Sequence, residues 1–225
     1  QTLMSLIQWA YVNFANDRFD PLGSVPISGG PPWIRADLFT IDAKTERPQS
    51  WGTMNGLMLR GLLEQRFKLK IHTEKRVMPV YALTAAKGGA KLQASKRDCV
   101  VLDPEHPPLP VQLGKPLPAV CGMGRLNSQG WEAFAVTMGE LARLLSDNAD
   151  RKVVDRTGIS GTYDIHLNLS PEDLGISSGA AANAEPADVF ARVRASVHKL
   201  GLNLTSSRAP EDVLVIDTAE RPSGN

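Results

Sequence analysis

Asp164, His166 and Asn168 stand at positions i, i+2 and i+4 of the run Tyr163 to Leu169, so a strand would carry all three on one face. A carboxylate beside an imidazole at that spacing can orient it as a general base, or share a divalent ion with it. Asp155, just before the turn that leads into this strand, could join them. The chemistry would be metal-assisted or base-assisted hydrolysis of a small ester or lactone. The bland reading is a solvated strand face, which needs polar residues in any case.

A second group is cationic. Lys68, Lys70 and His72 line the polar face of another strand, with Arg66, Lys75 and Arg76 nearby. Together with Trp33 they are a candidate ligand-binding set for a carboxylate-bearing glycan or peptide, or for a lipid headgroup. Lysines on a strand also discourage edge-to-edge association, the commoner use. Trp9, Tyr11, Trp51 and Trp131 are core or lid residues, or else line a cleft between two units.

These residues must be positioned by helices and strands, and the pattern repeats. KVVDRTGISGTYDIHLNL, from Lys152, has a less regular counterpart in ISGGPPWIRADLFTIDA, from Ile27. Asp and Thr accept local backbone hydrogen bonds while Gly158 and Gly161 tolerate positive φ, so a structural turn is expected at 155–161. Leu3, Leu6, Ile7, Ala10 and Phe14 recur at helical spacing behind Thr2 as N-cap. Alternation over Leu38 to Ala43 predicts a strand. Met54, Leu57, Met58 and Leu62 predict a helix that leads into a strand at Phe67 to Ile71, with Val80 to Thr84 as its hairpin partner beyond Pro79. Thr137 and Glu140 have capping-box spacing ahead of a helix through Leu145. Phe190, Val193 and Val197 predict another, followed by a hairpin of Leu200 to Leu204 with Val213 to Ile216. Written without a gap, apolar positions 67, 69, 71, 80, 81 and 83 fall on 200, 202, 204, 213, 214 and 216.

The expected fold is therefore α+β: two related helix–strand–helix–hairpin units, with antiparallel sheets covered on one face by helices. The boundaries read as 1–87 for the first unit, 88–126 for a Pro-rich connection and 127–225 for the second. The connection is a linker or a functional loop. Residues 175–186, small and polar, read as a flexible insertion.

Composition excludes more than it assigns. Twenty-five basic against twenty-four acidic side chains give a formal net charge of +1, so charge alone predicts neither nucleic-acid nor membrane binding. No apolar run is long enough for a transmembrane helix. GxSxG, HExxH, P-loop, GxGxxG and EF-hand signatures are missing, which argues against familiar nucleophilic or nucleotide-dependent enzymes, and no cofactor is expected beyond a divalent cation under the hydrolase reading. Cys99 and Cys121 lie in the Pro-rich connection without metal-site spacing. They are expected to form a disulfide, worth roughly 3 kcal/mol in the chain-entropy model. That pairing places the chain outside the cytoplasm, periplasmic or secreted. Gln1 in place of an initiator Met fits removal of a targeting segment.

LIQWAY, ISGGPPWI, LLEQRFKLKIHTEKRVMPVYAL, VVDRTGISGTYDIHL and the terminal VLVIDTAERPSGN, in that order, closely resemble the bacterial family catalogued as domain of unknown function 3738. The resemblance spans nearly the whole chain. It implies a secreted or periplasmic protein of a large paralogous set, in which some members are attached to membrane-embedded sensor peptidases, and it brings no agreed catalytic site. The family's usual strand before the first helix is not among these residues. In shape and order the units are also similar to secretin and TonB N-terminal modules, which bind and assemble. The function expected from all of this is an extracytoplasmic binding or interaction module for a peptide, glycan or partner protein. The alternative is the secreted hydrolase, with Asp164 and His166 as ion ligands or base and Asp155 assisting.

Overall fold

A computed structural model describes residues 1–17, 19–20, 23–96, 99–101, 119–127, 130–174 and 186–222. The chain runs α1 (Leu3–Ile7), which continues as a π-helix (Gln8–Asn13), then β1 (Ile27–Gly29) and a 3₁₀ turn (Pro32–Arg35). Next come α2 (Trp51–Thr53), a second π-helix (Met54–Met58), α3 (Leu59–Phe67), β2 (Lys70–Ala85) and β3 (Gln93–Ala94). The remainder is β4 (Gly124–Asn127), β5 (Gly130–Val136), α4 (Met138–Ser146), β6 (Val153–Asp155), β7 (Tyr163–Leu167), α5 (Pro186–Lys199) and β8 (Leu202–Thr218). The α+β class expected from the sequence is what forms. The insertion expected at 175–186 falls outside the described residues except for Pro186.

The two segments expected as hairpins are each a single long strand, of 16 residues in β2 and 17 in β8. A tight hairpin turn needs residues at positive φ, and no residue of 70–85 or 202–218 has one. Pro79 and Pro210 interrupt the apolar pattern without turning the chain.

These strands also set the compact units. One unit gathers residues 1–77 with 210–222, and the other residues 78–101 with 119–209 among those described. Each long strand begins in one unit and ends in the other.

In the first unit, Leu3, Leu6, Ile7 and Ala10 of the first helix meet Ile34, Leu63, Phe67, Leu69 and Ile216 in one buried cluster. Thr2 caps the helix, its hydroxyl accepting from the Ser5 N–H at 3.1 Å. Both π-helical turns belong here, and they are tied together: the Trp9 indole N–H donates to Asn55 Oδ1 at 2.9 Å. Gly56 permits the approach, because a Cβ there would lie 2.9 Å from the Phe14 carbonyl oxygen. Trp9, Phe14, Phe19 and Trp51 pack ring against ring beside them, with centroids 4.8–6.4 Å apart. The strand expected over Leu38 to Ala43 does not form. Phe39 and Ile41 do reach the core, but the segment meets the amino terminus only through the Thr2–Leu38 bridge and the Gln1–Phe39 bonds, leaving Leu38 78% exposed. Beside β8 the strand is β1, paired in parallel through Ile27–Leu214, Ser28–Val215 and Gly29–Ile216.

The second unit carries α4, started by the expected capping box: Thr137 Oγ1 accepts from the Glu140 N–H while Glu140 Oε2 accepts from the Thr137 N–H. β6 pairs in parallel with β2 through Tyr81–Val153, Ala82–Val154 and Leu83–Asp155, so the sheet ordered β1-β8-β2-β6 is mixed rather than purely antiparallel. A separate antiparallel sheet, ordered β3-β7-β5-β4, lies wholly in this unit. Its strand β5 was not evident in the sequence, because a bulge with Ala135 at φ 47° breaks the alternation between Ala133 and Val136. Cys99 and Cys121 are joined, with Cα atoms 5.2 Å apart.

One numerical relation links the units. The shift of 133 that carries residue 67 onto 200 carries 81 and 83 onto 214 and 216. Those are the residues that take the short parallel strands, β6 on β2 and β1 on β8. Lys68 at φ 48° and Gly201 at φ 71°, also 133 apart, are the left-handed residues between helix and long strand. Each unit therefore contains a helix, a short strand, a second helix, the first half of the long strand that follows, and the second half of the other long strand.

Candidate ligand groove

The residues singled out for hydrolysis are placed in separate local roles. Asp155 ends β6, and its Oδ1 accepts from both the N–H and the hydroxyl of Thr157 at 2.8 Å, an Asx turn. Asp164 is half-buried on β7, where Oδ1 accepts from the Ala135 N–H at 3.1 Å and so holds the β5 bulge. His166 is exposed on the same face, with Nε2 2.9 Å from Asn168 Oδ1. Among the described residues no three His, Cys, Asp or Glu side chains are grouped so as to hold a metal ion.

The cationic set lies in the first unit. Lys68 ends α3 and its carbonyl accepts from the Thr218 hydroxyl at 2.9 Å; Lys70 is exposed at the start of β2. Trp33 packs against Phe39 and Phe67, with the Arg221 guanidinium 5.2 Å from its ring centroid. His72 Nδ1 is 2.9 Å from both carboxylate oxygens of Asp217, and Lys75 Nζ is 2.8 Å from Asp212 Oδ1. Partner numbers fall as the chain number rises, so β2 and β8 run antiparallel here. Much of the positive charge on this face is thereby matched by β8.

The hydrogen bond to Asp217, aided by the charges of Asp217 and Glu74, holds the His72 imidazolium above the ordinary histidine range. Because the folded value is raised, the pair contributes stability below the unfolded histidine value, and that contribution is lost as pH rises through the folded one. In a proton NMR titration, Asp217→Asn should move the His72 midpoint downward. An unchanged midpoint would show that the contact does not persist in solution.

The second unit holds a groove of about 990 Å³. One wall is α5, where the buried Phe190 and the exposed Arg194 and His198 follow one another at four-residue spacing, with Lys199 beside them. The other wall is the start of β8, chiefly Asn203 and Thr205, and Tyr81 of β2. Tyr81 is fixed from both sides: its ring stacks on Phe190 at a centroid distance of 4.4 Å, and the Arg151 guanidinium lies 4.8 Å from its centroid. Partial burial, then the facing Asp150 carboxylate, raises the Tyr81 phenol above its ordinary value. Asp150 itself is held below the usual carboxylate range, first by Arg151 and also by the Tyr81 hydroxyl. Among the described residues no carboxylate forms an ion pair with Arg194, His198 or Lys199.

This arrangement joins an aromatic platform to the Arg194 and Lys199 cations and the His198 imidazole, none of which has a carboxylate partner among the described residues. It can bind an anionic group next to an apolar or planar one. The signal for it was Arg194 and His198 at four-residue spacing from Phe190; the reading of that helix rested on Phe190, Val193 and Val197, which are buried, and passed over the two polar positions.

No curated protein and no solved structure matches the chain. A family model does match, over residues 5–219, under the description "Protein of unknown function (DUF3738)". With nearly the whole length covered, and with the motifs from LIQWAY to the terminal VLVIDTA inside the matched span, the chain belongs to that family.

Proposed function

We propose that the protein is an extracytoplasmic binding module whose ligand, a peptide, glycan or partner protein, is taken in the groove beside α5. The observation that carries this reading is the combination of the Tyr81–Phe190 stack with Arg194, His198 and Lys199, whose donors have no acidic partner among the described residues. Unpaired donors in a concave, partly apolar site are the ordinary means of fixing a ligand's orientation. Asp155, Asp164 and His166 are each occupied by a near neighbour. Binding thus has structural support that the hydrolytic alternative lacks. The extracytoplasmic placement is supported by the Cys99–Cys121 disulfide, since such bonds persist in oxidising compartments.

The test is calorimetric titration with panels of acidic, neutral and basic peptides and of charged and neutral oligosaccharides, using the intact chain and Arg194→Glu. A ligand held by the former and lost by the latter is expected. Equal retention by both would remove the groove as the site.

A further inference from the structure

The sheet order leaves a specific vacancy beside this groove. β8 is flanked by β2 on one side, while on the other β1 covers only residues 214–216. Within the second unit, the first part of β8, residues 202–209, is therefore an edge: among the described residues no strand pairs with its outer side. Backbone groups alternate between the two sides of a strand. The Leu214 N–H donates outward, to the Pro26 carbonyl, so Leu204, Ser206 and Arg208 share that outward side by parity. The Gly201 carbonyl, of opposite parity, accepts from the Ala86 N–H on the β2 side, as this alternation requires. Pro210, with no N–H to offer, also falls at an outward position.

The two units treat their edges differently. In the first, the corresponding part of β2 carries Lys70, His72, Lys75 and Arg76, the charged side chains that usually keep other strands away. In the second, Asn203, Thr205, Ser206 and Ser207 are uncharged and Arg208 alone is charged, while Asn203 and Thr205 line the same groove as Arg194, His198 and Lys199. An edge with one charged residue between 203 and 208, ahead of Pro210 and beside a groove walled by a helix, suits strand addition, in which main-chain bonds give affinity and side-chain pockets give selectivity.

We propose that an acidic peptide in extended conformation adds as a further strand to the outer edge of β8 between residues 203 and 208, its carboxylates meeting Arg194, His198 and Lys199. A peptide is favoured over a glycan because only a peptide offers N–H and C=O groups at the repeat of the edge, about 3.3 Å per residue. The proposal rests on the groove reading above and narrows it to one ligand class and one mode.

The experiment uses the intact, disulfide-bonded chain and three probes: a capped octapeptide of alternating threonine and glutamate, the same peptide N-methylated at alternate residues, and a polygalacturonate oligomer. The first should bind saturably. N-methylation, in the register that blocks the edge-facing amides, should weaken it about tenfold or more, and Arg194→Glu should do the same. Equal binding of the peptide methylated in either register would overturn strand addition while leaving the groove in place. So would preference for polygalacturonate that is lost in Arg194→Glu. Absence of binding by all three would overturn strand addition, and the broader panels would then decide the groove separately. Sedimentation of the chain alone provides the last arm: a dimer that the octapeptide does not dissociate would put a second copy on the edge and overturn the peptide assignment.

Discussion

Gly201→Ala is expected to lower stability by about 3–5 kcal/mol, a large fraction of what a typical domain has to lose. Two independent costs meet at this position. Gly201 has φ 71°, a region that costs a residue with a Cβ roughly 1–2 kcal/mol. The added Cβ would also stand 2.2 Å from the Gly89 carbonyl oxygen and 3.1 Å from Ala90 Cα. Those are backbone atoms, and the adjacent chain is held by the Ala86 N–H to Gly201 carbonyl bond and the Lys91 N–H to Leu200 carbonyl bond, both 2.8–2.9 Å. The neighbour has little freedom to retreat. Lys68 provides the internal control, because it occupies the same place between helix and long strand at φ 48°. Lys68→Gly should stabilise by about 0.5–1 kcal/mol, the strain relieved less the added chain entropy. Opposite signs in urea denaturation of the two variants are the expected outcome. Like signs would show that the two helix-to-strand joints are not equivalent.

Removing the disulfide is the second large perturbation. Replacing Cys99 and Cys121 together by Ser should cost about 3 kcal/mol in the chain-entropy model, since the closed loop has a sequence separation of 22. For a chain of this size that corresponds to roughly 6–12 °C in Tm. The loop is also anchored without sulfur: Val100 bridges Val120, Cys121 bridges Phe134, and the Gly122 N–H donates to the Phe134 carbonyl at 2.9 Å. A cytosolic environment would remove the sulfur contribution and leave only these. If the variant matched the parent in Tm, the bond would be dispensable and the argument from it to an oxidising compartment would lose its force.

Much of the architecture was legible because it depends on local chemistry. Thr2 and the Thr137–Glu140 box are caps whose partners lie three residues away, and both form as the spacing indicates. The gapless correspondence between residues 67–83 and 200–216 was also legible, since buried positions on a strand repeat with period two whatever the strand pairs with. What the strand pairs with was not. A polar stretch between two apolar ones looks like a turn, and HTEKRVMP and TSSRAPED are such stretches. They instead remain extended: His72 and Lys75 of the first stretch reach Asp217 and Asp212 of β8, and Asp212 ends the second stretch. The missing clue was negative: neither stretch contains Gly or an Asn-Gly type pair. Leu38 to Ala43 misled for the reverse reason, as an alternating pattern delivered Phe39 and Ile41 to the core without a ladder.

The groove was less legible still. Its residues come from α5, β2, β8 and the turn after α4, so no window of sequence contains it. Tyr81 reads as one more apolar strand position, and only the approach of Phe190 and Arg151 gives it a further role. The individually named candidates were conspicuous for their chemistry, yet His72 is bound to Asp217 and Asp164 to the Ala135 N–H, contacts that no spacing within either segment announces.

That β2 and β8 are long strands lying antiparallel, rather than two separate hairpins, can be tested by covalent capture. In the double variant His72→Cys with Asp217→Cys, and separately in Lys75→Cys with Asp212→Cys, mild oxidation should produce an intramolecular disulfide within one chain, located by mass spectrometry beside the intact Cys99–Cys121 bond. Monomers that stay reduced at both engineered pairs would contradict the shared-strand architecture, and with it the open edge of β8 on which the binding mode depends.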